Sequence, residues 1–275
     1  MLKPEKGKMS SLHSNPALRA AGFLLAFTAL SCAEIDPAAT PPLSADAIVQ
    51  KLMAANASRA ASLRGYQGRR VYRLEYHGMW GSHSAQITVD ASYSAPDKKE
   101  FKIISEDGSR ILINRVLMKL LSSEQEAQLQ QNRKELEISP ENYRFTLDEI
   151  QHTAAGDYYI LNLTPKGKSR YLYRGKVWVD AHDFAVVRME GEPQKNPSMW
   201  VSHTQIAYRW AKEDGFWLPV RNQSETDVRM GGGRAFLTID YSNYQITGVN
   251  RLASGKSGDE HQALPDPAVV TADPH

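Results

Sequence analysis

Bulky side chains alternate with polar ones along segment after segment of this chain, and that period of two constrains its fold more than any other feature. Within 71–77, Tyr72, Leu74 and Tyr76 interleave with Arg73, Glu75 and His77, so one face is apolar and the other wet. Ala85, Ile87, Val89, Ala91 and Tyr93 repeat the pattern beyond a turn at Gly78 and Gly81, and 100–105 forms a third strand after Ala95-Pro96-Asp97. Similar segments follow at 143–150, 158–164, 171–179, 184–190, 200–210, 216–224 and 234–246. Their separators are turn-like, among them Ala155-Gly156-Asp157, Pro165-Lys166-Gly167 and Glu213-Asp214-Gly215. Short links between successive strands force antiparallel neighbours. A single sheet of about ten strands must curl, which leaves a concave apolar face.

Two stretches break the rhythm. Ser44 has the chemistry of an N-cap, followed by Asp46 and by Ile48, Val49, Leu52 and Met53 at helical spacing. This predicts a helix over about 45–63, with Gly65 and Gly68 at its end. Residues 111–133 contain neither Gly nor Pro; they place Leu112, Val116, Leu117, Leu120 and Leu121 in front of a Glu/Gln-rich rear. This predicts a helix, or two, inserted after the third strand and closed by Ser139-Pro140-Glu141. Laying its apolar stripe over the concave face buries both. The expected fold is mainly β (α+β): one strongly curved antiparallel sheet, an incomplete β-barrel, with an N-terminal helix and an inserted helical lid over 44–249.

The ends have a different composition. Residues 20–30 are an apolar run preceded by Arg19, too short for a bilayer span that needs about 20 residues, so 1–33 reads as a signal peptide. Two processing outcomes stand open. Ser31 and Ala33 suit ordinary cleavage before Glu34, whereas Ala29-Leu30-Ser31-Cys32 is an imperfect lipobox that would make Cys32 a lipidation site. Either implies export to the periplasm, with outer-membrane anchoring in the second case. Residues 34–43 are Pro/Ala-rich and read as a linker, and 250–275 as a disordered tail.

Charge and motifs exclude several classes. The formal charge of +2 becomes −1 without the first 33 residues, so the body lacks the clustered cation surplus that nucleic-acid binding needs. One cysteine excludes an internal disulfide framework. No His-x-His, His-Glu-x-x-His or Gly-x-Ser-x-Gly spacing is present, and Gly231-Gly232-Gly233 lacks the Lys-Ser/Thr of a phosphate loop. His77 and His83 lie at the ends of the first hairpin, where they could meet or simply be solvated. Asp180-Ala181-His182-Asp183 invites a metal or general-base reading, but its position between two strands favours turn chemistry. No metal, cofactor or catalytic group is expected.

The segments Tyr159-Ile160-Leu161-Asn162-Leu163-Thr164-Pro165, Lys176-Val177-Trp178-Val179-Asp180 and Asp214-Gly215-Phe216-Trp217-Leu218-Pro219-Val220 resemble the LolA/LolB-like family of outer-membrane lipoprotein-sorting proteins. The resemblance covers about 44–246. It implies a monomeric cell-envelope carrier that holds acyl chains of lipoproteins or lipids in a hydrophobic cavity for trafficking to the outer membrane, serving an inner- or outer-membrane transfer partner. It equally admits a LolB-like acceptor anchored through Cys32, or an envelope-stress sensor or scaffold domain that binds a protein partner. A strand arginine helps hold the lid shut in such carriers, and Arg73 and Arg110 are the candidates here. The acyl-contacting positions expected on this reading are Tyr72, Leu74, Tyr76, Ile87, Val89, Phe101 and Ile103 from the sheet and Leu112, Val116 and Leu120 from the lid. The alternative is that they close an ordinary core.

Overall fold

The computed structural model describes residues 43–79, 81–127, 134, 137–169, 171–195, 201–229 and 232–250. The expected signal peptide, Cys32, nearly all of the linker and the tail beyond Asn250 lie outside the described residues. Helix α1 (Ala45–Ser62) begins as its sequence dictates, with the Ser44 hydroxyl accepting from the Ala47 amide at 3.2 Å. Ten strands follow: β1 (Leu63–Gly78), β2 (Gly81–Ser94), β3 (Lys98–Gly108), β4 (Tyr143–Thr153), β5 (Gly156–Pro165), β6 (Tyr173–Asp180), β7 (Val186–Pro193), β8 (Val201–Glu213), β9 (Phe216–Val228) and β10 (Gly233–Val249). Between β3 and β4 stands a helical insertion: α2 (Arg110–Leu112), a π-helical turn (Ile113–Leu117) and α3 (Met118–Ala127).

All ten strands form one antiparallel sheet in the order β3-β2-β1-β10-β9-β8-β7-β6-β5-β4. Consecutive strands pair, as short links require, except β3 and β4. The long insertion frees those two to become the edges, and the first and last strands meet in the middle with Tyr72 opposite Ile239 and Leu74 opposite Leu237. The sheet is therefore an open, incomplete barrel.

Several boundaries differ from expectation, and the starts of β1, β6 and β7 bear on the packing. Strand β1 starts at Leu63, directly after the helix, and runs through Gly65 and Gly68. A β-carbon at Gly65 would lie 2.6 Å from Thr247 Oγ1, and one at Gly68 would lie 3.0 Å from the Tyr244 ring, so these glycines admit a close neighbour and do not turn the chain. Strand β6 begins at Tyr173 and β7 at Val186. Phe184 is still in the turn at φ 46, its amide donating to the Asp180 carbonyl at 3.0 Å.

Strand register puts Arg70, Tyr72, Leu74 and Tyr76 of β1 on one face with Ala85, Ile87 and Val89 of β2 and Leu237, Ile239 and Tyr241 of β10. Two helical elements share this inner face. Ile48, Val49 and Leu52 of α1 pack on Leu161, Leu163, Val177, Val179 and Met189 from β5–β7, and Ile113, Leu117 and Leu121 of the insertion pack on Tyr72, Leu74, Ile87, Val89 and Ile239. A polar seam separates the two clusters, where Thr204 and Thr226 share a 3.2 Å hydrogen bond. All these elements lie within the compact unit Pro42–His275, which contains both apolar clusters. Among the described residues no helix is long and apolar enough to cross a membrane.

Candidate functional site

A buried ionic cluster fastens the insertion to the sheet. Arg70 points from β1 onto the inner face with its side chain only 3% exposed, and its Nη1 lies 2.6 Å from Glu124 Oε2 on α3. Lys99 Nζ of β3 donates to the same oxygen at 3.1 Å, and the Tyr72 hydroxyl donates to Glu124 Oε1 at 2.9 Å. Arg70 Nη1 also reaches the Tyr72 hydroxyl at 3.4 Å. The guanidinium carbon stands 5.2 Å from the Phe101 ring centre and 4.8 Å from that of Tyr241, so aromatic faces wall the charge.

The electrostatics follow from this packing. Burial opposes ionisation of Glu124, but Lys99, Arg70 and the Tyr72 hydroxyl overcome it and hold the carboxyl below its usual range. Burial alone would weaken the Arg70 cation, and the field of Glu124 more than restores it. Lys99, buried beside Arg70, binds its proton less tightly than a free lysine despite Glu124. Burial, reinforced by the Glu124 charge, keeps the Tyr72 hydroxyl protonated far into the alkaline range. Removing one partner of so enclosed a pair typically costs about 3–5 kcal/mol, because the other charge is left alone.

Neither arginine singled out in the sequence makes this contact. Arg73 is on the opposite face, 47% exposed, and pairs with Asp240; Arg110 is 85% exposed beside Glu106. Arg70 was missed because the strand appeared to begin at Val71. Its signal was present nonetheless, since Arg70 is in phase with Tyr72, Leu74 and Tyr76, a cation on an otherwise apolar strand face. Glu124 carries the matching signal on the insertion, one turn beyond Leu121 on the inward stripe.

Tyr72, Leu74, Ile87 and Val89 are buried beneath the insertion, and Phe101 of β3 and Leu112 and Leu120 of the insertion are half-buried against the same cluster. Tyr76 is half-buried, its hydroxyl donating to the Gly232 carbonyl at 2.9 Å. Ile103 and Val116 remain 41% and 40% exposed. The stripe turned inward is Ile113, Leu117 and Leu121, at 0–6% exposure, one residue on from Leu112, Val116 and Leu120. A π-helical turn widens the helix to nearly four and a half residues per turn, which suits this run of i, i+4 contacts. The inward stripe and the floor residues form one buried apolar cluster. An opening of roughly 430 Å³ lies at the α1 end, where Ile138, Ala185, Val186, Trp210 and Trp217 face Asn56 and Arg59. Another groove, roughly 730 Å³, is lined mostly by polar groups, among them Gln67, Arg69, Asp90, Glu100 and Lys102, together with Phe101 and Gln125.

The remaining sequence features are structural. Asp180 Oδ1 accepts from the amides of His182 and Asp183, and the Asp183 carboxylate is engaged by Lys212, Trp217 Nε1 and His182. Although Asp180, His182 and Asp183 could turn ligand atoms toward one point, these bonds make them a turn that anchors α1, whose Arg59 donates to the carbonyls of Asp183 and Phe184 at 2.9 and 2.8 Å. His77 and His83 do not meet: His77 pairs with Ser82 and His83 with Tyr76, on opposite faces of the hairpin.

No family model matches the chain, and no curated protein matches it. Solved structures similar to it include a DUF1329 family protein from Desulfovibrio piger, at 16% identity and a TM-score of 0.38, covering 75% of this chain and 94% of that one. A Vibrio parahaemolyticus domain named as an outer membrane lipoprotein-sorting protein shares 12% identity at a TM-score of 0.39, covering 72% and 92%. A LolA superfamily protein from Nitrosomonas europaea shares 14% identity at a TM-score of 0.33, covering 78% and 99%. The solved structures that this chain is similar to thus include LolA-superfamily and lipoprotein-sorting proteins, at low sequence identity.

Proposed function

We propose that this protein is a cell-envelope carrier that takes up acyl chains on the inner face of its sheet when the insertion lifts. One observation carries the reading: over a floor of Tyr72, Leu74, Ile87 and Val89, the lid is held by a short apolar stripe and a buried ionic latch at Glu124. Burying Ile113, Leu117 and Leu121 stabilises the closed lid by about 1.5–3 kcal/mol each. An acyl chain of ~16 carbons gains on the order of 10 kcal/mol from burial at about 0.8 kcal/mol per methylene. The two are of the same order, so a chain can displace the lid without becoming trapped. The residues found at the latch serve binding and gating. Organic extraction of the protein purified from its native envelope, followed by mass spectrometry of the extract, tests the reading. Acyl chains near one equivalent per protein are expected; repeated preparations free of acyl chains would refute it.

A further inference from the structure

We infer that Glu124 occupies the seat of a ligand's anionic headgroup, so that with the insertion lifted Arg70 and Lys99 bind the carboxylate or phosphate of an acyl-chain amphiphile. This rests on the acyl-carriage reading and goes further by naming the chemistry of the cargo's head. At the latch two cations share one carboxylate: Arg70 and Lys99 both bond Glu124 Oε2, and among the described residues neither is in an ion pair with any other acid. Both cations belong to the sheet and their counter-ion belongs to the movable element. Lifting the insertion strips them together, in a setting walled by Phe101, Tyr241 and Tyr72 where stranded charge is costly. An arriving anion replaces the departing one, charge for charge. A neutral headgroup leaves the cost in place.

The insertion itself has the layout of an acid amphiphile. Its carboxylate head at Glu124 leads into an apolar stripe, Leu121, Leu117 and Ile113, all buried on the floor of the sheet. This stripe runs from Leu121 back to Ile113, through the start of α3 and the π-helical turn. The three donors that hold Glu124 divide between its two oxygens, Arg70 and Lys99 on one and the Tyr72 hydroxyl on the other, which is a pattern that a carboxylate or a phosphate can fill equally.

The test compares laurate, dodecyl phosphate, dodecanol and inorganic phosphate as ligands of the purified full chain, by calorimetry below the aggregation threshold of each amphiphile. Laurate and dodecyl phosphate should bind about tenfold or more tightly than dodecanol, because charge-assisted hydrogen bonds form only with the anions. Lys99→Met should reduce that preference, Arg70 remaining, and leave dodecanol within about threefold of its original affinity. Glu124→Gln should tighten binding of both anionic amphiphiles more than that of dodecanol, a selective gain that apolar surface exposed by misfolding does not produce. Equal affinity for laurate and dodecanol would overturn the headgroup inference and leave acyl carriage standing. Failure of all three amphiphiles to bind would overturn acyl carriage itself. Inorganic phosphate binding as tightly as dodecyl phosphate would assign a free-anion site and overturn the inference.

Discussion

Glu124 of the insertion and Tyr72 of the sheet share a 2.9 Å hydrogen bond that ties the lid to a fully buried ring of its own floor. Tyr72→Phe keeps the ring's packing and removes only the hydroxyl. A hydrogen bond to a charged group contributes about 1.5–3 kcal/mol, and the variant should lose that much stability in denaturant titration. Arg70→Met should lose more, about 3–5 kcal/mol, because it leaves the carboxylate beside a buried stretch with one cation fewer. The two losses should not add, since both act on Glu124.

Acid should loosen the lid before it unfolds the sheet. Glu124 titrates below its ordinary 4.5, while Arg70, Lys99 and Tyr72 keep their protons throughout that range. A carboxyl whose folded pKa is depressed stabilises the fold fully above its unfolded value, and that contribution is lost as pH falls through the folded one. Amide exchange across 118–127, corrected for intrinsic rates, should therefore accelerate as pH drops below about 4.5. The same segment of Glu124→Gln should lack this step, although Asp183, Asp240 and other paired carboxyls make the whole fold acid-sensitive in both proteins.

Adjacent positions on the insertion should respond very differently to truncation. Leu117 is fully buried and Val116 is 40% exposed. Leu117→Ala should cost about 2–5 kcal/mol by cavity formation, and Val116→Ala under about 1 kcal/mol. Thermal unfolding of the two variants checks this directly, and a reversal would mean that the helix is rotated on the sheet.

Local pattern was enough to read the strands, α1 and the existence of the insertion, because each is written in periods of two or 3.6 within a few neighbouring residues. Several features depended on contacts distant in sequence. The β1–β10 pairing brings the first and last strands of the chain together in the middle of the sheet, and no turn signal announces it. Gly65 and Gly68 resembled helix-ending glycines because Thr247 and Tyr244, which approach them, are far along the chain. The insertion has two parallel apolar stripes, at 112, 116 and 120 and at 113, 117 and 121, and only packing selects the second. Arg70 was legible from phase alone, as a cation on the apolar face. Its partner could not be named before the insertion was placed.

The attachment of α1 offers an independent check. Arg59 bridges the helix to the β6–β7 turn through the carbonyls of Asp183 and Phe184 and also bonds Asn56. Arg59→Ala should destabilise the fold by about 1–3 kcal/mol. Amide exchange should rise at the C-terminal end of α1 and around 180–185 and leave the latch protected, because the two apolar clusters are separated by the Thr204–Thr226 seam.

Hydrogen exchange of the insertion with and without a bound acyl chain tests lid displacement most directly. With laurate saturating the protein, amides across 110–127 should lose protection while those of α1 keep it. Laurate bound with the insertion as protected as before would contradict the account, because the chain would then be lodged somewhere that the lid does not cover.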